Sequence, residues 1–295
     1  MASVAAVVVT FNRLEKLKKV IASLEAQTKK PEFLVIIDNA STDGTAKYLK
    51  TLESPLNLQI VSSTTNMGGA GGFSAGMRKG YDLGADFVWV MDDDGYPAPD
   101  ALEKLLDGIA DASEALEKPV PFACSLVKFI DGEICEMNNP VPTWDWARLI
   151  AKGQEAVLVN QCSFVSVLIP RWVIEQHGLP FKEYFIWFDD AEYTLRISKE
   201  TPGVQVLTSH TVHDMGENKG VNFGVIDDSN AWKFEYGIRN EASFRLHHGS
   251  FARYLLFCAQ VIVGMRRGGV KRKHRRTMRK KLLEGIRFNP SIDRV

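Results

Sequence analysis

The chain has 295 residues, enough for one large α/β domain or for one domain with a C-terminal appendage. Its 45% hydrophobic and 24% charged residues exclude a disordered or fibrous protein. The formal net charge of zero leaves no electrostatic signature for the whole molecule, although basic residues crowd the last fifth and leave the remainder net acidic.

In chain order, Val4 to Val9 is a continuous apolar, β-branched run, the pattern of a strand buried on both faces. It is too short for a secretory leader, and no basic stretch precedes it. Leu14 to Leu24 has helical spacing. Phe33 to Ile37 is a second buried strand that ends at Asp38. Thr42 to Leu52 reads as a helix and Leu58 to Ser62 as a third strand. A glycine-rich segment and a helix to Leu83 follow, then a strand from Phe87 to Met91 that runs into three aspartates. Strands alternating with helices predict a mostly parallel sheet with crossover helices.

Past Pro99 a helix is expected to about Leu116, after which Pro119, Pro121, Pro140 and Pro142 break the pattern. Gln161 to Ile169 reads as one strand and Trp172 to His177 as a short helix. Phe188 to Ser198 is read as an acid-led helix, Val204 to Leu207 as a late strand, and Asn230 to Leu256 as helical. The longest remaining apolar run, Tyr254 to Met265, is short for a bilayer and is broken by Gln260. Cys124, Cys135, Cys162 and Cys258 are scattered without a Cys-x-x-Cys pair, which suits reduced thiols in a cytosol.

Ligands of an open parallel sheet bind at the carboxyl ends of its strands. Thr10-Phe11-Asn12-Arg13, Asp38-Asn39, Asn66 to Gly72 and Asp92-Asp93-Asp94 all fall there. Adjacent carboxylates repel unless a cation compensates them. As alternate residues, Asp92 and Asp94 can face one ion. Such oxygen ligands suit Mg²⁺ or Mn²⁺, which bridge diphosphate oxygens. An isolated acidic triplet is more often a solvated turn; the buried strand before this one reverses that preference.

The glycine-rich segment is not a dinucleotide fingerprint, because Ser74 stands where its third glycine belongs, and the Gly-Lys-Ser/Thr of a P-loop is absent. Close approach to a ligand and close helix packing both fit it. Trp187-Phe188-Asp189-Asp190-Ala191-Glu192 places three carboxylates within four positions, more than helix capping needs. One of them suits a general base, and Trp187 suits either a sugar face or the core. His210 and His213 follow the late strand; His-x-x-His alone is a weak zinc signal.

Taken as an ordered set, these segments resemble the family 2 glycosyltransferases of GT-A fold. The resemblance covers roughly residues 4 to 215. It runs through Val7-Val8-Val9-Thr10-Phe11-Asn12-Arg13, Asp38-Asn39-Ala40-Ser41-Thr42-Asp43-Gly44-Thr45, Asn66 to Gly72 and the Asp-x-Asp element. It implies an α/β, Rossmann-like domain over residues 1–225 with a helical, basic extension over 226–295. It also implies an inverting transferase that uses a nucleotide sugar and Mn²⁺ or Mg²⁺.

By the same resemblance Thr10, Phe11, Arg13, Asp38, Asn66, Gly69, Asp92 and Asp93 bind the donor. Asp92 and Asp94 hold the cation with a late histidine, His213 by its place before Met215-Gly216, with His210 as the alternative. The Trp-x-Asp-Asp-Ala-Glu pattern is similar to that of bacterial galactofuranosyltransferases, from which the inserted Phe188 departs. It implies Asp190 as catalytic base, with Trp187, Asp189 and Glu192 on the acceptor. The donor implied is UDP-galactofuranose, and the acceptor a glycan of bacterial surface polysaccharide such as O-antigen. Tyr236-Gly237-Ile238-Arg239-Asn240 is shared with related rhamnosyltransferases, so dTDP-rhamnose is the alternative donor; a non-catalytic nucleotide-sugar-binding protein is a third reading.

Arg266 to Lys281 holds ten basic residues and follows the apolar stretch Phe251 to Met265. That pairing suits an anionic membrane surface. No nucleic-acid module accompanies it. The expected location is cytoplasmic, peripheral on the inner face of the membrane, where a lipid-linked acceptor would be met.

Overall fold

The computed structural model describes residues 2–295; Met1, the first residue of the expected domain, lies outside the described residues. The first half follows the predicted alternation: β1 (Val4–Thr10), α1 (Leu14–Glu25), β2 (Phe33–Asp38), α2 (Thr45–Leu49), β3 (Asn57–Ser62), α3 (Gly68–Asp82) and β4 (Phe87–Asp92). These strands pair in the order β3-β2-β1-β4, all parallel.

Every residue of β1 is buried. Val4, Ala6 and Val8 face α1 and α4 (Ala101–Leu116) in one apolar layer, and Ala5, Val7 and Val9 face α3 in the other. This is why the run reads as apolar without alternation.

The glycine-rich segment is not a loop. α3 starts at Gly68, and its glycines form a stripe against β1. A Cβ on Gly72 would stand 2.4 Å from Val9 Cγ1, and one on Gly76 2.2 Å from Val7 Cγ1. The glycines therefore let helix and sheet approach more closely than any side chain permits.

The second half extends the sheet with mixed pairing. It contains β5 (Gly95–Pro97), β6 (Ala123–Phe129), β7 (Val141–Pro142), β8 (Ala156–Gln161), β9 (Val167–Pro170) and β10 (Gly203–His213), with α5 (Arg171–His177) and α6 (Asp189–Ile197). β9 lies antiparallel between β4 and β6, β10 runs parallel to β6, and β8 and β5 run antiparallel to β10.

The predicted strand over Gln161 to Ile169 is two strands joined by a turn, in which the Val165 N–H donates to Ser163 O at 2.9 Å. Phe164 and Val165 are buried although they lie outside both strands, so apolarity alone does not reveal the turn.

The predicted helical stretch over Asn230 to Leu256 is likewise two helices, α7 (Ala231–His247) and α8 (Phe251–Arg267), followed by α9 (Arg272–Arg287). Ser250 caps α8 by accepting from the Arg253 N–H. A Cβ on Gly249 would lie 2.5 Å from Arg245 O, so only glycine fits this corner. The three helices enclose a separate apolar cluster that includes Phe234, Phe257, Val261 and Met278. The chain end then returns to the sheet domain, where the Leu179 N–H donates to Asp293 O at 2.9 Å. Among the described residues no helix is long and apolar enough to cross a membrane, and none of the four cysteines is in a disulfide.

Candidate active site

β1 lies between β2, where the chain moves outward one way, and β4, where it resumes on the other side. The carboxyl ends of β1 and β4 therefore form the crevice of the sheet. Parallel register brings Thr10 beside Asp38, and Val9 beside Asp92. Thr10 Oγ1 donates to Asp93 Oδ2 at 2.7 Å. Arg13 donates to Asp93 at 3.1 Å and to Asp94 at 2.7 Å, and Lys16, one helical turn on, donates to Asp94 at 3.3 Å. Asp38 is buried and accepts from the Ser41 N–H at 3.0 Å, which closes the turn after β2. Asn66 is exposed and caps the Gly68 N–H at 2.8 Å. Phe11 is exposed, while Gly69 lines the cavity described below.

The acidic triplet divides its work. Burial raises the Asp93 carboxyl and outweighs the Arg13 charge and the Thr10 hydroxyl. Asp94 behaves oppositely. Burial pushes it up, but the His213 hydrogen bond and the Arg13 and Lys16 charges prevail and hold it at about 2. Asp92 is raised well above the ordinary carboxylate range, by burial first and then by the charges of Asp94 and Asp93. The Arg13 charge opposes this rise without outweighing it.

Asp92, Asp94 and His213 offer ligand atoms that all lie within 4.8 Å of one another. His213 Nδ1 is 2.7 Å from Asn138 Oδ1, and Nε2 is 3.2 Å from Asp94 Oδ1. The Asn138 amide nitrogen is committed to Ser163 Oγ at 2.7 Å, so its oxygen accepts from the His213 Nδ1–H. His213 Nε2 then points at the Asp94 carboxylate, and either a proton or a metal ion can bridge the two atoms. Two carboxylates, one of them raised by burial and by its acidic neighbours, and an imidazole fit a divalent cation. The alternative histidine does not join them: His210 Nε2 is tied to Leu207 O at 3.0 Å.

A cavity of about 760 Å³ joins this cluster to the second acidic motif. Asp92, Asp94 and His213 stand on its sheet side. Trp187, Asp189 and Asp190 come from the start of α6 and the segment before it. The Trp187 ring meets Phe234 edge to face at 4.9 Å. Asp190 Oδ1 accepts from the Ala191 N–H at 2.7 Å. Burial raises the Asp190 carboxyl to about 6 despite hydrogen bonds from backbone N–H groups. Asp189 is pushed well above the ordinary range by burial and by the Asp190 charge. Burial thus raises both carboxyls, and the two titrate as a pair.

Glu192 is not brought to this cavity. It is fully buried and accepts from Arg196 at 2.7 and 3.1 Å, facing the other side of α6. Lys16 and Asn138 belong to the site although neither stood out in the sequence. Lys16 carries a faint signal, three residues past Arg13 in the first turn of α1. Asn138 lies in irregular chain and carries none.

A sequence profile of the family described as Glycosyl transferase family 2 matches residues 5–133. The galactofuranosyltransferase GlfT1 of Mycobacterium tuberculosis H37Rv is 36% identical over 226 residues, covering 74% of this chain and 72% of its own. The corresponding protein of Mycolicibacterium smegmatis is 37% identical over 123 residues, which span 42% of this chain and 40% of that relative. Among solved structures, S. aureus TarS 1-349 superposes with a TM-score of 0.61 at 16% identity, over 97% of this chain and 80% of that one. The crevice at the carboxyl ends of β1 and β4, the ordered motifs and these relatives agree: the chain belongs to the family 2 glycosyltransferases and has their GT-A fold.

Proposed function

We propose that the protein is an inverting, metal-dependent transferase that moves galactofuranose from UDP-galactofuranose to a hydroxyl of a bacterial surface glycan. The observation that carries this reading is the single cavity with a cation-binding triad on one wall and an ionisable Asp190 on the other. The galactofuranosyltransferase relatives support the sugar. Structural neighbours crystallised with UDP, with UDP-GlcNAc, and with UDP and Mn²⁺ support a uridine donor and the metal.

In this reading Asp92, Asp94 and His213 hold Mn²⁺ or Mg²⁺, which when bound neutralises charge on the donor diphosphate and leaving group. Phe11, Arg13 and Gly69 face the nucleotide. Thr10, Asp38, Asn66 and Asp93 shape the pocket from beneath through the hydrogen bonds described above. The Asp190 carboxylate takes the proton of an acceptor hydroxyl as its oxygen attacks the anomeric carbon. The bond from that carbon to the diphosphate oxygen breaks on the opposite face, so the configuration inverts. Asp189 orients the acceptor by a hydrogen bond to one of its hydroxyls, and the Trp187 ring lies against a sugar face.

We assign residues 1–225 to transfer and 226–295 to an anionic membrane that presents a lipid-linked acceptor at the inner face of the cell. Residues 251–287 hold twelve Lys and Arg against the single acid Glu284. Phe251, Leu255, Leu256, Leu283 and Ile286 are exposed on the same two helices, α8 and α9. Apolar side chains beside clustered positive charge favour an interfacial position.

Calorimetry with UDP-galactofuranose, UDP-galactopyranose and dTDP-rhamnose, with and without Mn²⁺, tests the donor. Metal-dependent binding of the UDP sugars, abolished by Asp94→Ala, is expected, with transfer from the furanose alone and none by Asp190→Asn. Preference for dTDP-rhamnose would overturn the donor assignment, and undiminished transfer by Asp190→Asn would overturn the base.

A further inference from the structure

The segment that delivers the acidic pair has an unusual backbone. Phe185, Trp187 and Phe188 adopt φ of 65°, 66° and 72°. Bulky residues rarely enter this left-handed region, and each such position costs about 1–3 kcal/mol, so surrounding structure must hold it.

Four consecutive carbonyls of this segment are held from outside it. Three converge on one side chain: the Asn240 amide nitrogen donates to Tyr184 O at 2.9 Å, Ile186 O at 3.2 Å and Trp187 O at 2.9 Å. The fourth, Phe185 O, accepts from the Ala70 N–H of α3 at 3.1 Å. On that side a Cβ on Gly68 would stand 2.0 Å from Phe185 O, and on the other a Cβ on Gly237 would stand 2.8 Å from the Trp187 ring. The segment is thus seated between the glycine-rich start of α3 and the middle of α7.

Asn240 is fully buried in the interior of α7, where asparagine is a weak helix former. Its oxygen is committed too, accepting from Arg239 Nε at 3.1 Å and Nη2 at 2.8 Å. A planar amide with two hydrogens, one of them shared, suits carbonyls gathered on one side of it; Tyr184 O also accepts from the Ile186 N–H at 2.8 Å. Aspartate there would set a carboxylate against them.

We propose that Asn240 is a positioning residue for glycosyl transfer: its amide holds the left-handed segment Phe185–Phe188 and so sets where Trp187 and Asp190 stand in the cavity. The C-terminal helices are on this account part of the acceptor-side machinery as well as a docking surface. The inference rests on the assignment of Asp190 as base, but the hydrogen-bonded clamp can be tested without it.

The variants are Asn240→Ser and Asn240→Asp, read by hydrogen–deuterium exchange over residues 181–192, UDP·Mn²⁺ binding, and steady-state UDP release from UDP-galactofuranose. Exchange in that segment should rise at least about tenfold while peptides covering Asp92–Asp94 and His213 stay protected. The kcat should fall about a hundredfold, the loss typical of a misplaced catalytic group, with the donor KM and the UDP·Mn²⁺ Kd within about threefold of the parent. Unchanged exchange in both variants would overturn the clamp. Donor binding lost in proportion to kcat would overturn the positioning role in favour of a merely structural one. If the parent protein itself neither binds nor releases UDP, the donor assignment fails while the exchange comparison still decides the clamp.

Discussion

Glu192 is where sequence and structure assign different work to one carboxylate, and replacing it separates the two. In the structure Glu192 has no solvent exposure and forms a two-pronged ion pair with Arg196, whose side chain is 8% exposed. The guanidinium also donates to Leu179 O at 3.0 Å and lies 4.9 Å from the Tyr193 ring centre. Glu192→Gln keeps the shape and removes the charge, leaving a buried guanidinium without its counterion. Breaking one side of such a pair costs about 3–5 kcal/mol. At about 2.1 cal/mol/K of unfolding entropy per residue, a chain of this length loses roughly 5–8 °C of melting temperature. Thermal unfolding followed by circular dichroism measures the loss, and UDP release at a temperature well below both transitions measures the site. The expected result is a large drop in Tm with kcat and KM within about threefold of the parent, since Glu192 does not line the cavity. An unchanged Tm together with lost transfer would refute this reasoning and return Glu192 to the acceptor.

The acid limb of kcat/KM for the acceptor is expected near pH 6. The Asp190 carboxyl is raised to about 6, and the base works only when ionised, so activity holds above that pH and is lost as the pH falls through it; a limb near pH 4 would argue against Asp190. His213→Ala should weaken Mn²⁺ binding, read by calorimetry on protein free of donor, at least about tenfold, whereas His210→Ala should leave it unchanged. The double variant Arg279→Glu/Lys280→Glu should weaken binding to phosphatidylglycerol vesicles about thirtyfold or more, at about 1 kcal/mol per lost charge, without altering UDP binding; equal binding to neutral phosphatidylcholine vesicles would exclude the electrostatic contribution.

The sequence by itself determined the parallel half of the sheet and the edge on which the site is built. β1, β2 and β4 are buried on both faces, so each appears as an uninterrupted apolar run, and the polar residues that stop it mark the carboxyl end. Asp38 and the aspartates from Asp92 to Asp94 were legible for that reason, as was the acidic start of α6. What needed tertiary structure was every choice between neighbours. The late strand is longer than its apolar core suggests, and its pairing with β6 shifts register between Val206 and His210. In a strand, a shift of one residue exchanges the two faces, so spacing alone does not tell which histidine meets Asp94. The shift leaves His210 tied to the bulge and brings His213 to the carboxylates. The same holds for Glu192, which a helix turns away from Asp190 into the core. It holds for Asn138 and Asn240, whose roles come from what lies 75 and more than 50 residues away in the chain. Local pattern records which residues are buried; which polar groups meet there is set by how distant segments close around one cavity.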